Sequence, residues 1–172
     1  MTLRRKLAIA AALVAAALLA AIAFVARDPD VLVRMEFARQ LHEAHLSKRE
    51  ANVAGHRWVY AYREADKPDA PTIVMVHGFT GMKENFYPVA RALGGRYRLV
   101  IPDLPGWGES ERLPREQYGF LAQSERLAAF IRHVSPDKPV VLVGHSMGGG
   151  VVALTAAGYP QLVSHVALLD AA

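Results

Sequence analysis

The chain contains no cysteine. That excludes disulfides, thiolate catalysis and acylation of an N-terminal lipoprotein cysteine. It has no Walker loop and no G-x-G-x-x-G stretch, so no nucleotide cofactor is indicated, and none of any other kind. Its seven histidines are scattered without metal-ligand spacing, so no metal site is expected. A net charge of +4 is modest, and part of it sits beside an apolar N-terminal run. No basic face with interleaved aromatics appears, which removes the case for nucleic acid. There is no internal repeat, and no low-complexity stretch beyond that Ala-rich run.

What is present begins with the run itself. Leu7 to Ala26 is twenty residues without a charge. As a helix it spans about 30 Å, enough to cross the hydrocarbon core of a bilayer. Arg4, Arg5 and Lys6 precede it, while Arg27, Asp28, Pro29 and Asp30 follow. The basic side stays cytoplasmic, so the rest of the chain is expected outside, on a single-pass anchor. The competing reading is a signal peptide cut after the weak A-x-A site Ala21-Ile22-Ala23, leaving a secreted or periplasmic protein. Residues 27–54 read as a helical connector. Val31, Leu32, Met35, Ala38 and Leu41 recur at approximate helical spacing between Arg34, Arg39, Glu43 and Lys48. Such a helix either packs on the body or lies on the membrane surface.

From Gly55 onward the pattern changes. His56 to Arg63 suits an antiparallel strand. Three apolar runs follow: Thr72–Val76, Tyr97–Ile101 and Pro139–Val143. Helical stretches separate them, near 85–93, 118–134 and 147–159, with Val166–Leu169 as a further strand. Strands alternating with helices indicate crossovers and a mostly parallel sheet with helices on both faces, an α/β fold. Arg126 and Arg132 are expected in solvent.

The run Pro139–Val143 leads into Gly144-His145-Ser146-Met147-Gly148-Gly149. A G-x-S-x-G between strand and helix is a nucleophile elbow. The turn is so sharp that the serine stands clear of the backbone, and glycines let strand and helix approach. Ser146 is the candidate nucleophile. The plain alternative is a glycine-rich turn that contains a serine. An oxyanion needs two backbone N–H donors. One is expected from Met147, the residue after the nucleophile. The other is expected from Phe79, in the loop His77-Gly78-Phe79 that ends an earlier strand. His77 reads as a structural histidine holding that loop rather than as a general base. Asp103 reads as a tie between loop and backbone N–H groups rather than as a catalytic carboxylate. Gly78, Gly144, His145 and Gly148 complete the structural set. Phe79, Phe86, Tyr87 and Trp107 either line an acyl pocket or belong to the core.

Three ordered signatures, His77-Gly78-Phe79, Pro102-Asp103-x-x-Gly106-x-Gly108-x-Ser110 and Gly144-His145-Ser146-Met147-Gly148-Gly149, resemble those of the α/β-hydrolase fold over residues 55–172. Within that superfamily the chain is similar to the membrane-anchored monoacylglycerol-lipase-like branch. The resemblance implies hydrolysis of carboxylic esters, lipid-like ones included, through an acyl-enzyme. It also implies a triad in the order serine, acid, histidine. Only 26 residues follow Ser146, and they hold His165 and Asp170 in the opposite order. His165 reads as a surface loop residue, and Asp170 as a weak candidate at a strand end. The acid and the histidine base are therefore expected outside this chain. A single α/β domain takes about 200–250 residues, so one starting near Gly55 would run to roughly residue 300. This chain is expected to be the N-terminal part of a longer enzyme. The contrasting possibility is a non-catalytic, membrane-anchored binding module that keeps the scaffold without a complete triad.

Overall fold

The computed structural model describes residues 2–172. They divide into two compact units, Met1–Arg39 and Gln40–Ala172. The first consists of helix α1, Leu3–Arg27, and most of helix α2, Val31–Glu43. Ala and Leu dominate α1, and no residue of it is buried within the protein. It is long and apolar enough to cross a membrane, a test that a signal sequence also passes.

The second unit is built on one six-stranded mixed sheet in the order β1-β2-β4-β3-β5-β6. Its strands are β1 Ser47–Val53, β2 His56–Arg63, β3 Thr72–Val76, β4 Arg98–Pro102, β5 Val140–His145 and β6 Val163–Leu169. Strands β1, β2 and β4 pair antiparallel, whereas β4, β3, β5 and β6 pair parallel. Parallel neighbours need crossovers, and helices α3 (Tyr87–Leu93), α4 (Phe120–Val134) and α5 (Met147–Gly158) supply them.

Alternation along each strand sends side chains to two separate cores. On one face Trp58, Tyr60, Val74, Val76 and Val100 meet Leu127, Phe130 and Ile131 of α4 and Val151 and Val152 of α5. Trp58 stacks on Phe130 at 4.4 Å. On the other face Ala61, Ile73, Met75, Leu99 and Ile101 meet Phe86, Tyr87 and Ala90 beside α3, together with Ala44 and Leu46. Helices thus cover both faces, and this is why β3 and β4 read as unbroken apolar runs.

Three local expectations are corrected. The helical connector does not extend to residue 54: α2 ends at Glu43, and Ser47–Val53 is an edge strand paired along its whole length with β2. Its hairpin turn is Ala54-Gly55, both at positive φ (51° and 77°), as a tight two-residue turn requires. His165 lies within β6, opposite Val141, not in a loop. Arg126 is buried, with its guanidinium on the Gln117 carbonyl at 2.6 Å and on Glu116 at 2.8 Å. Val166–Leu169, expected as a strand, is the later part of β6 at the sheet edge, where Val166, Leu168 and Leu169 are exposed.

Candidate active site

Ser146 occupies the single residue between β5 and α5, at φ 50° and ψ −124°. A non-glycine residue at positive φ stores strain and persists only where its surroundings over-determine it. Here the surroundings are two glycines. A Cβ on Gly144 would lie 2.4 Å from the Gly148 carbonyl oxygen, and one on Gly148 would lie 2.4 Å from the carbonyl oxygens of both Val76 and His77. The elbow is therefore pressed directly onto the end of β3.

That contact brings the second motif to the serine. A Cβ built on Gly78 would be 3.1 Å from Ser146 Cβ. Phe79 follows, 70% exposed, with its ring edge-on to Trp107 at 6.3 Å. Met147 opens α5, so its N–H is among the first-turn amides that have no intrahelical acceptor. Positive partial charge at that helix end favours an anion there.

His77 is buried, with both ring nitrogens engaged by backbone. Nδ1 lies 2.8 Å from the Gly78 carbonyl oxygen, and the Leu104 N–H donates to Nε2 at 3.0 Å. An Nε2 that accepts leaves Nδ1 as the donor, which defines a neutral tautomer. Burial pushes the His77 pKa below its usual value, in keeping with that neutral ring. Neither nitrogen is left to take a proton from Ser146.

Asp103 is fully buried. It accepts the Lys83 N–H at 2.6 Å, the Glu109 N–H at 2.9 Å and the Lys83 ammonium at 2.8 Å. Two of these bonds come from backbone N–H groups, at Lys83 and at Glu109. The lysine is a residue that sequence reasoning missed. Lys83 is 1% exposed, and its Nζ also meets Glu84 at 2.9 Å and Glu109 at 2.8 Å. Burial alone would lower its pKa, but the carboxylates, Asp103 foremost, outweigh this and raise it. The only signal in the sequence was a lysine set between the apolar residues Met82 and Phe86, which a surface position explains equally well.

Beside the serine is a cavity of about 490 Å³ lined by Phe79, Met82, Phe86, Val89, His145, Ser146 and Leu169, among others. Phe79 and Trp107 share an adjoining hollow of about 370 Å³. Of the four aromatic residues proposed for an acyl pocket, Tyr87 lies instead in the second core. Asp170 is exposed just beyond β6, the strand beside the elbow strand. His165 pairs with Val141, four residues before His145 along β5, which places it about 13 Å from the elbow end at strand rise.

Residues 71–172 match the family described as alpha/beta hydrolase fold. Lipase 1 of Psychrobacter immobilis is 37% identical over 119 residues, covering 69% of this chain and 37% of that protein. Monoacylglycerol lipase abhd6-B of Xenopus laevis is 27% identical over 143 residues, covering 82% of this chain and 42% of that one. A crystal structure of a membrane phospholipase A, described as a bacterial virulence factor, superposes with a TM-score of 0.78 at 32% identity. That match covers 99% of this chain and 53% of the other. The chain thus spans less than two thirds of the relatives it matches. With sheet order, elbow and family match in agreement, the chain belongs to the α/β-hydrolase fold family.

Proposed function

We propose that the protein is a serine hydrolase that cleaves carboxylic esters, with lipid-like esters as its substrates. One observation carries this reading: a strained Ser146 stands against the Gly78–Phe79 loop and lines a largely apolar cavity. Ser146 Oγ attacks the ester carbonyl and becomes acylated, and water then releases the acid. The N–H groups of Phe79 and Met147 receive the developing oxyanion. A histidine and a carboxylate from outside these 172 residues act as base and orienter, since both nitrogens of His77 are committed to backbone. The lipase names of the relatives support a lipid-like substrate. In this reading α1 tethers the hydrolase to the extracytoplasmic side of a membrane, where substrates partitioned into the bilayer are close at hand.

A fluorophosphonate probe applied to the full-length protein tests the assignment. Labelling is expected at Ser146 and absent in Ser146→Ala. Labelling of another serine, or equal labelling of the variant, overturns it. A folded protein that takes no label at all supports the non-catalytic binding module instead.

A further inference from the structure

The turn that carries the Phe79 N–H is itself strained. The Gly78 carbonyl accepts the Gly81 N–H at 3.1 Å, which closes a β-turn with Phe79 and Thr80 at its centre. Thr80 has φ +56°. A β-branched residue is a genuine outlier there, and such a conformation survives only when the structure around it leaves no alternative. The turn is held at both ends. Upstream, the His77 ring bonds the Gly78 carbonyl. Downstream lies Lys83, whose main chain and side chain both grip Asp103. Its ammonium reaches on to Glu84 and Glu109, and Asp103 also accepts the Glu109 N–H. One buried cation thus joins the 79–83 segment to the 103–109 loop.

Apolar packing alone would not call for this arrangement. Burying an ion pair costs desolvation, and apolar side chains of similar volume often serve equally well. What the lysine adds is direction, because its charge has one arrangement that satisfies all three carboxylates.

We infer that Lys83 is a positioning residue: it holds the strained Phe79–Thr80 turn, and through it the Phe79 N–H, in the geometry that receives the substrate's oxyanion. The inference rests on the assignment of that N–H as an oxyanion donor. Lys83 touches no substrate and acts only through the turn.

The test uses Lys83→Met in the full-length protein, with and without Thr80→Gly. Loss of an oxyanion donor costs about 10²–10³ in kcat, so a displaced donor should cost about 10- to 100-fold, with KM for p-nitrophenyl butyrate within about twofold. Thr80→Gly removes the left-handed penalty and should recover about fivefold or more of the lost kcat. Hydrogen exchange should quicken at amides 78–83 of Lys83→Met while β3 stays protected. An unchanged kcat, or a loss that Thr80→Gly does not relieve, overturns the inference. So does loss of protection throughout β3, which would mark an ordinary stability effect. If Lys83→Met does not fold, the double variant Glu84→Gln/Glu109→Gln replaces it, with the same readouts and a smaller effect expected. Exchange also separates this inference from the functional assignment. Faster exchange at 78–83 with no label on Ser146 sinks the assignment and keeps the clamp. Unchanged exchange with Ser146 labelled sinks the clamp alone.

Discussion

Alanine at Gly148 is the sharpest test of how the elbow is assembled. The added Cβ would lie 2.4 Å from two carbonyl oxygens, those of Val76 and His77, where real contacts stay beyond about 3.0 Å. Both obstacles are backbone, one in a central strand, so no side chain can swing aside. The end of β3 and the start of α5 must separate by about 0.6 Å merely to reach the closest tolerated contact. Overpacking of this kind costs about 1–3 kcal/mol, against which better helix propensity returns at most about 1 kcal/mol. With the full return the net loss reaches up to about 2 kcal/mol, a fall of a few degrees in Tm. Activity should suffer more. With both N–H groups receiving the oxyanion as proposed, the same movement shifts Met147 relative to Phe79, and a displacement approaching 1 Å can cost about 10²-fold. The rate of fluorophosphonate labelling should therefore drop about 10- to 100-fold, far beyond what the stability loss explains. Gly158→Ala is the control, because a Cβ there meets nothing within 4 Å. It should leave both quantities unchanged or raise Tm slightly. A Gly148→Ala protein with wild-type Tm and labelling rate would refute the steric reasoning and with it the proposed pairing of the Phe79 and Met147 N–H groups.

Trp58 is fully buried against Phe130, so Trp58→Ala should cost about 3–5 kcal/mol in urea denaturation, whereas exposed Leu121→Ala should stay within about 0.5 kcal/mol. Burial lowers the pKa of His77, so the unfolded chain takes up a proton below the ordinary 6.5 that the folded protein refuses. This contribution to stability is complete above that value and is lost as pH falls toward the folded-state pKa. Thermal denaturation should show Tm declining from about pH 7 to pH 5, and a Tm that rises instead counts against the neutral ring. A reporter active only outside the cytoplasm, fused after Gly55, should be active. Better performance by a cytoplasm-active reporter reverses the proposed orientation, and a mature N-terminus at Phe24 would establish cleavage in place of anchoring.

The sheet was legible where burial was extensive. Thr72–Val76 and the runs beginning at Tyr97 and Pro139 became β3, β4 and β5 within one or two residues, because strands covered on both faces admit little but apolar side chains. The edge was not legible. Ser47–Val53 carries Lys48, Arg49 and Glu50 toward solvent, so its partners rather than its composition make it a strand. Its Ala54-Gly55 turn also lacks the usual asparagine or aspartate signal. Arg126 was misplaced for a related reason: a charge reads as solvated until an acceptor such as the Gln117 carbonyl is known to wait for it.

By itself the sequence determined the elbow, the His77-Gly78-Phe79 turn after the third strand and the apolar N-terminal run. Each is encoded within a few neighbouring residues, as a glycine where a side chain cannot fit or as uninterrupted apolar length. Only the tertiary structure decided that Gly148 rests on the carbonyls ending β3, that both nitrogens of His77 are spent on backbone, and that Lys83 lies buried among Asp103, Glu84 and Glu109. Those contacts join residues up to 72 positions apart, from Val76 to Gly148. A buried charge takes its energy from the partners that surround it, and no local pattern records who those partners will be.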